Sequence, residues 1–249
     1  MSELGFNLQM LYVSGAILSN KLSPIEPMKE LLILILVFLS LHVSGQVAII
    51  RDKDGYTNVR SKPDNKSEIV HRVFENEVFW IDFSVRDTSE WVLVFIPKND
   101  FSLGCGDNES ITGFIHKSRV FPLERLEQPN NDNFTFKYNI QRFDPTGKII
   151  DTGTGPWIGS IDGRHAWGTD GNMPMNQVSG IEASIDGQAI SINRVFYSDL
   201  FECTNNFKVY KNGDTYFVWQ GNSDGAGYYE LVWVLTKEGL KQRLVGSLI

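Results

Sequence analysis

Cysteine is nearly absent from this 249-residue chain, which has only Cys105 and Cys203. Two cysteines so far apart, in neither a CxxC nor a Cys/His spacing, make no disulfide framework and no zinc site. A single disulfide and two separate thiols both stay open. Histidine is scarce as well, at four residues. No HExxH or P-loop occurs, so the usual signatures of zinc peptidases and nucleotide hydrolases are missing. Basic charge is also in deficit: 23 Lys and Arg stand against 30 Asp and Glu, a net charge of −7. An acidic chain is a poor match for a phosphate backbone, which removes nucleic acid from the expected partners. Long helical patterns and low-complexity tracts are lacking too.

One long apolar run is present. "MKELLILILVFLSLHVSGQ", Met28 to Gln46, has an apolar core from Leu31 to Leu41, then Val43 and Gly45 at positions suited to signal-peptidase cleavage. A spanning helix needs about 20 apolar residues and this run is shorter, so residues 28–45 are expected to be a cleaved secretory signal with no stable membrane span left behind. Residues 1–27 do not fit in front of such a signal and are expected to be a non-native upstream extension, with the true start at Met28. Glu3, Glu26 and Glu30 against Lys21 and Lys29 contribute −1 before residue 46, which leaves −6 on the remainder. A secreted or periplasmic protein follows from the signal.

The chain is rich in turn residues and aromatics, with 22 Gly, six Trp, eight Tyr and 16 Phe, most of them after the signal, as expected of many short strands. "DGYTNVRSKP" at 54–63 opens with a turn that tolerates positive φ, points Val59 one way and Asn58 and Arg60 the other, and enters a loop at Pro63. "IVHRV", "NEVFWIDFSV", "EWVLVFI" and "TGFIHKSRVF" supply further strands, with imperfect alternation around Asp82 that suggests a bulge. Five short strands in so few residues predict a small barrel at 47–126 that curls to protect its edges. "EQPNNDN" at 127–133 cannot continue a strand and is expected to be a linker. From 131 to 249 the pattern is again β. "FTFKYNI" alternates, Asp186-Gly187 and Asn212-Gly213 mark hairpins, and "YYELVWVL" puts Tyr229, Leu231, Trp233 and Leu235 on one face. About eight strands with such turn spacing predict a β-sandwich or jelly-roll-like domain.

"DGYTNVRSKP", "SEIVHRV", "NEVF", "EWVLVFI" and "GFIHKSRV" together resemble the bacterial SH3 family, the SH3b domains. Trp91 takes the place of a family tryptophan that begins a later strand, and Gly113 with Phe114 the place of its Gly-aromatic strand. "PKNDFSLGCGDNESIT", Pro97 to Thr112, is longer than the family's usual connection. The resemblance implies an SH3-like barrel that attaches to peptidoglycan or a wall-associated peptide. The "WGTDG … DGAG" pair of the second half resembles a family of secreted bacterial β domains with no assigned function, which implies a shared fold and no activity.

Candidate binding residues are Tyr56, Trp91 and Phe114, aromatics able to line a barrel groove, with Trp91 better explained as core than as contact because it begins the most apolar strand. Two Gly- and Asp-dense loops add Trp167, Asp170 and Asp224, whose carboxylates suit hydroxyl groups or calcium. Turn chemistry and a core Trp167 explain those loops as well. No cofactor is expected. Catalysis would need Cys203 with His165, or two carboxylates among Asp162, Asp170, Asp199, Asp224 and Glu230 at a fixed separation. The expectation is therefore a non-catalytic envelope binding protein. Its rivals are an envelope immunity factor or inhibitor that binds a protein partner, and a wall hydrolase.

Overall fold

The structure, a computed structural model, describes residues 46–82, 89–103, 110–129, 133–222 and 228–246. Cys105, Asp224 and the apolar run at 28–45 lie outside the described residues. Among the described residues no helix is long and apolar enough to cross a membrane. The protein is all-β, as its turns and aromatic strands predict.

The first half folds as β1 (Gln46–Ile50), β2 (Tyr56–Arg60), β3 (Ile69–Phe74), β4 (Phe79–Asp82), β5 (Trp91–Pro97), β6 (Ser110–His116) and β7 (Val120–Pro122). These seven strands make one antiparallel sheet in the order β3-β2-β6-β5-β4-β1-β7. Gly55, at φ 73°, makes the turn into β2 that the Asp-Gly pair predicts. Val73 and Val59 near one edge share a cluster with Ala48 and Ile50 near the other, so the sheet is curled around its own core. It does not close: among the described residues no pairing joins β3 to β7. The closed small barrel expected from the sequence is thus an open one, and its edges are protected by other means. The Glu77 carboxylate accepts from the outward Phe74 N–H at 2.9 Å, capping one end of β3.

The second half contributes β8 (Phe134–Arg142), β9 (Ile150–Asp151), β10 (Ser160–Ile161), β11 (Arg164–His165), β12 (Asn176–Ile185), β13 (Gln188–Ala189), β14 (Lys208–Asn212), β15 (Thr215–Asn222), β16 (Tyr229–Thr236) and β17 (Gly239–Gly246). They form three sheets, β13-β12-β8, β14-β15-β16-β17 and the small β11-β10-β9. Asp186 and Gly187, at φ 50° and 77°, form the two-residue turn that joins β12 to β13, both in the left-handed region as a type I′ hairpin requires. Between β14 and β15 the loop is Gly213-Asp214, one residue later than expected, because Asn212 pairs with Thr215 and Gly213 takes the positive φ of 57°.

Within Ser44–Ile249 the four-stranded sheet is a middle layer. On one face Tyr216, Val218, Leu231, Trp233 and Leu235 pack against Phe134, Tyr138, Val178 and Ile185 of the β13-β12-β8 sheet, forming the sandwich. On the other face Phe217, Val232, Val234 and Leu244 pack against Val47, Ile49, Val78 and Trp80 of the first half. β1 and β4 are therefore buried on both sides, which explains why their alternation is lost without a bulge in the described part of β4. The same double burial makes β16 buried from Tyr229 to Leu235 and apolar at both parities from Leu231 to Leu235.

Ser44–Ile249 forms one compact unit. Gln242 exchanges hydrogen bonds with Val78 N–H and C=O at 2.7 and 2.9 Å. The Arg243 N–H donates to Asp100 C=O at 2.9 Å, so the loop after β5 caps the outer edge of β17. Glu127 itself bridges to Lys211.

Candidate binding face and buried charges

Strand alternation sorts the first sheet into an inner and an outer face. Val59, Val73, Val92 and Ile115 point into the core of the curl. Tyr56, Asn58 and Arg60 of β2, Arg72 and Phe74 of β3, Trp91 and Leu93 of β5, and Phe114 and His116 of β6 take the opposite side, where each is at least partly exposed. Among the described residues, the four-stranded sheet covers this outer side at β1, β4, Phe95 and Phe121.

The structure therefore puts Tyr56, Trp91 and Phe114 on one face, in three separate settings. Tyr56 packs on Phe74 with ring centroids 6.2 Å apart, and the Arg72 guanidinium lies 5.1 Å from the Tyr56 ring centre. Asn58 Oδ1 accepts from Arg72 Nε at 3.2 Å and so orients that cation. Phe74 is 53% exposed and Ile69, at the other end of β3, 44%. Phe114 sits centrally, opposite Leu93 and Arg60. Trp91 meets His116 edge-on at 5.5 Å, and His116 lies 3.7 Å from Glu90. Trp91 is half-buried on the outer face, since Val92, Val94 and Ile96 are the β5 residues that enter the core. Aromatic rings beside oriented cations offer stacking area and cation contacts at low entropic cost. Phe74, Arg72 and Ile69 were not singled out in the sequence, although "IVHRVF" holds more apolar residues than a strand with one buried face requires.

Trp167 and Asp170 are differently placed. The Trp167 ring packs between His165 at 4.2 Å and Tyr229 at 5.6 Å, at the margin of the sandwich core. Asp170 is an exposed turn residue at φ 45°, with its carbonyl accepting from Asn172 Nδ2. Gly168, at φ 95°, lets the chain pass Phe201 so closely that a Cβ would lie 2.4 Å from its carbonyl oxygen. Among the described residues no group of three or more His, Cys, Asp and Glu side chains could hold a metal ion.

Two buried ionic arrangements lie in the interior. Asp199 accepts from Arg164 Nη2 at 2.7 Å and from Arg243 Nη2 at 2.8 Å. Arg243 is fully buried, donates further to Phe101 C=O at 3.2 Å, and keeps an Nε without a partner among the described residues. This network ties the loop after β5, β11 and β17 together. Glu230 is the second. Its cross-strand neighbours are Gly221 and Gly246, and the Trp80 ring fills the space above Gly246, where a Cβ would lie 2.8 Å from it. Tyr228 Oη donates to Glu230 Oε1 at 3.4 Å. Burial pushes the Glu230 carboxyl up to about 7, against the opposing pull of Trp219 and the Tyr228 hydroxyl beside it.

Cys203 is a free, buried thiol 3.1 Å from Tyr229 Oη, and burial pushes it up to about 12. A thiol held there stays protonated at neutral pH and is a poor nucleophile. The geometry thus defines an all-β protein whose candidate site is an exposed aromatic and cationic sheet face. Compared with protein-family models, curated proteins and solved structures, the chain gives no match.

Proposed function

We propose that this is a non-catalytic binding protein of the bacterial cell envelope, attaching to peptidoglycan or a wall-associated peptide through the outer face of its first sheet. The observation that carries the proposal is the corner formed by Tyr56, Phe74 and Arg72, where two exposed or half-exposed rings and an Asn58-oriented guanidinium project from one edge of the sheet. Rings of this kind stack on sugar faces and apolar peptide side chains, and the cation suits a carboxylate of a wall peptide. The SH3b-like order of "DGYTNVRSKP", "EWVLVFI" and "GFIHKSRV" and the signal-like run at 28–45 supply the cellular setting.

The test is co-sedimentation of the whole protein with purified sacculi, beside the variant Tyr56→Ser/Phe74→Ser. The proposal expects retention of the wild type and loss of most of it in the variant. Equal sedimentation of both, or of neither, would count against it. The protein-partner alternative gains from a retained soluble envelope protein whose capture weakens with salt, as an acidic surface would steer it.

A further inference from the structure

A second surface lies far from these residues in sequence, at the free edge of the β13-β12-β8 sheet. Phe143 N–H donates to Met175 C=O at 2.7 Å, which makes 143 and 175 a hydrogen-bonded pair. Antiparallel ladders alternate, so Arg142 and Ile140, opposite Asn176 and Val178, turn their own N–H and C=O away from β12. The partner strand agrees: Val178 N–H donates to Leu200 C=O and Asn176 C=O accepts from Glu202, both away from β8. Further along the same edge the outward groups of Tyr138 are both taken by Asn205, at 2.7 and 3.1 Å. The side chain of Asn205 mimics an added strand for one residue and stops there. The edge groups of Ile140 and Arg142 have no partner among the described residues.

Beside this open edge is a groove of about 540 Å³ lined by Arg142, Phe143, Pro145, Met173, Pro174 and Met175. Met175 is 72% and Met173 51% exposed, and Ile140 is 38% exposed. Methionine at an exposed surface adapts to varied apolar partners. The Arg142 guanidinium makes no hydrogen bond or ion pair with any described residue, on a protein whose net charge is −7. We propose that the β8 edge and this groove bind an extended segment of a partner protein, which adds as a strand beside Ile140 and Arg142, sets apolar side chains against Met173 and Met175, and gives Arg142 a carboxylate. A second copy of this chain fits less well, because Tyr138 to Phe143 hold no acid to offer Arg142 in return.

The experiment is fluorescence anisotropy of the whole protein with a labelled, end-capped probe peptide, Thr-Val-Glu-Val-Thr, beside Thr-Val-Lys-Val-Thr. The expected result is saturable binding of the first and about tenfold weaker binding of the second. Arg142→Glu should reverse that preference. Ile140→Pro removes the outward N–H at an edge position that tolerates proline, and should weaken the first peptide by about tenfold while the melting temperature holds. No binding at millimolar peptide, or binding indifferent to both substitutions, overturns the proposal. So does a concentration-dependent dimer that Ile140→Pro abolishes, which would assign the edge to a second copy. Tyr56→Ser/Phe74→Ser leaves this binding unchanged, so the result is independent of wall attachment.

Discussion

Glu230→Gln should stabilise the protein at alkaline pH and leave it nearly unchanged in mild acid. The side chain is 4% exposed between Trp80, Trp219 and Tyr228, and burial raises its carboxyl from the ordinary 4.5 to about 7. A group whose folded value lies above its unfolded value contributes stability that is complete below the unfolded value and is lost as pH rises through the folded one. From pH 4.5 to above 7 the loss is about 3 kcal/mol. Glutamine keeps the size and an acceptor for the Tyr228 hydroxyl without a charge to desolvate, so the variant should lack this slope. Urea denaturation of both proteins at pH 5 and pH 8 measures the difference. A wild type with no decline attributable to Glu230, or a variant less stable than wild type at pH 8, would refute the reasoning.

Arg243→Met should cost about 3–5 kcal/mol in urea denaturation, because it leaves Asp199 buried with only Arg164 opposite and frees the carbonyls of Phe101 and Ser102; a loss under about 1 kcal/mol would contradict the network's role. In a Cys105→Ser background, Cys203 should resist a thiol reagent at pH 8 in the native protein and react readily in urea, since burial holds the thiol up to about 12. Fast native labelling would show that it is accessible. Residues 46–126 expressed alone should fail to give a dispersed NMR spectrum, because Val47, Ile49, Val78 and Trp80 would lose the four-stranded sheet that covers them. A well-dispersed spectrum would restore an independent barrel.

The parts of the fold legible in the sequence are those that local backbone chemistry dictates. Asp54-Gly55 and Asp186-Gly187 announce positive φ and therefore turns, wherever the strands on either side end up. The all-β class follows from such turns and the aromatic strands between them. The shared core did not show, because alternation reports one buried face and β1, β4 and β16 have two. In "YYELVWVL" the apolar residues at both parities, Val232 and Val234 as well as Leu231 and Trp233, were the available sign of a middle layer. Glu230 was visible as the lone acid in that run, which is how a buried carboxylate announces itself. Arg243 was not, since "KQR" reads as surface and its partner Asp199 is distant in the chain. For the candidate face, Tyr56 and Phe114 were found by residue type, while Phe74 and Arg72 join them only through the β2–β3 register.

The most direct test of the binding face is hydrogen-exchange mass spectrometry of the whole protein with and without solubilised peptidoglycan fragments. Slowed exchange confined to 56–60, 69–74, 91–93 and 114–116 is the predicted result. Slowed exchange elsewhere, with these strands unchanged, would contradict the assignment of the outer sheet face as the wall-binding surface.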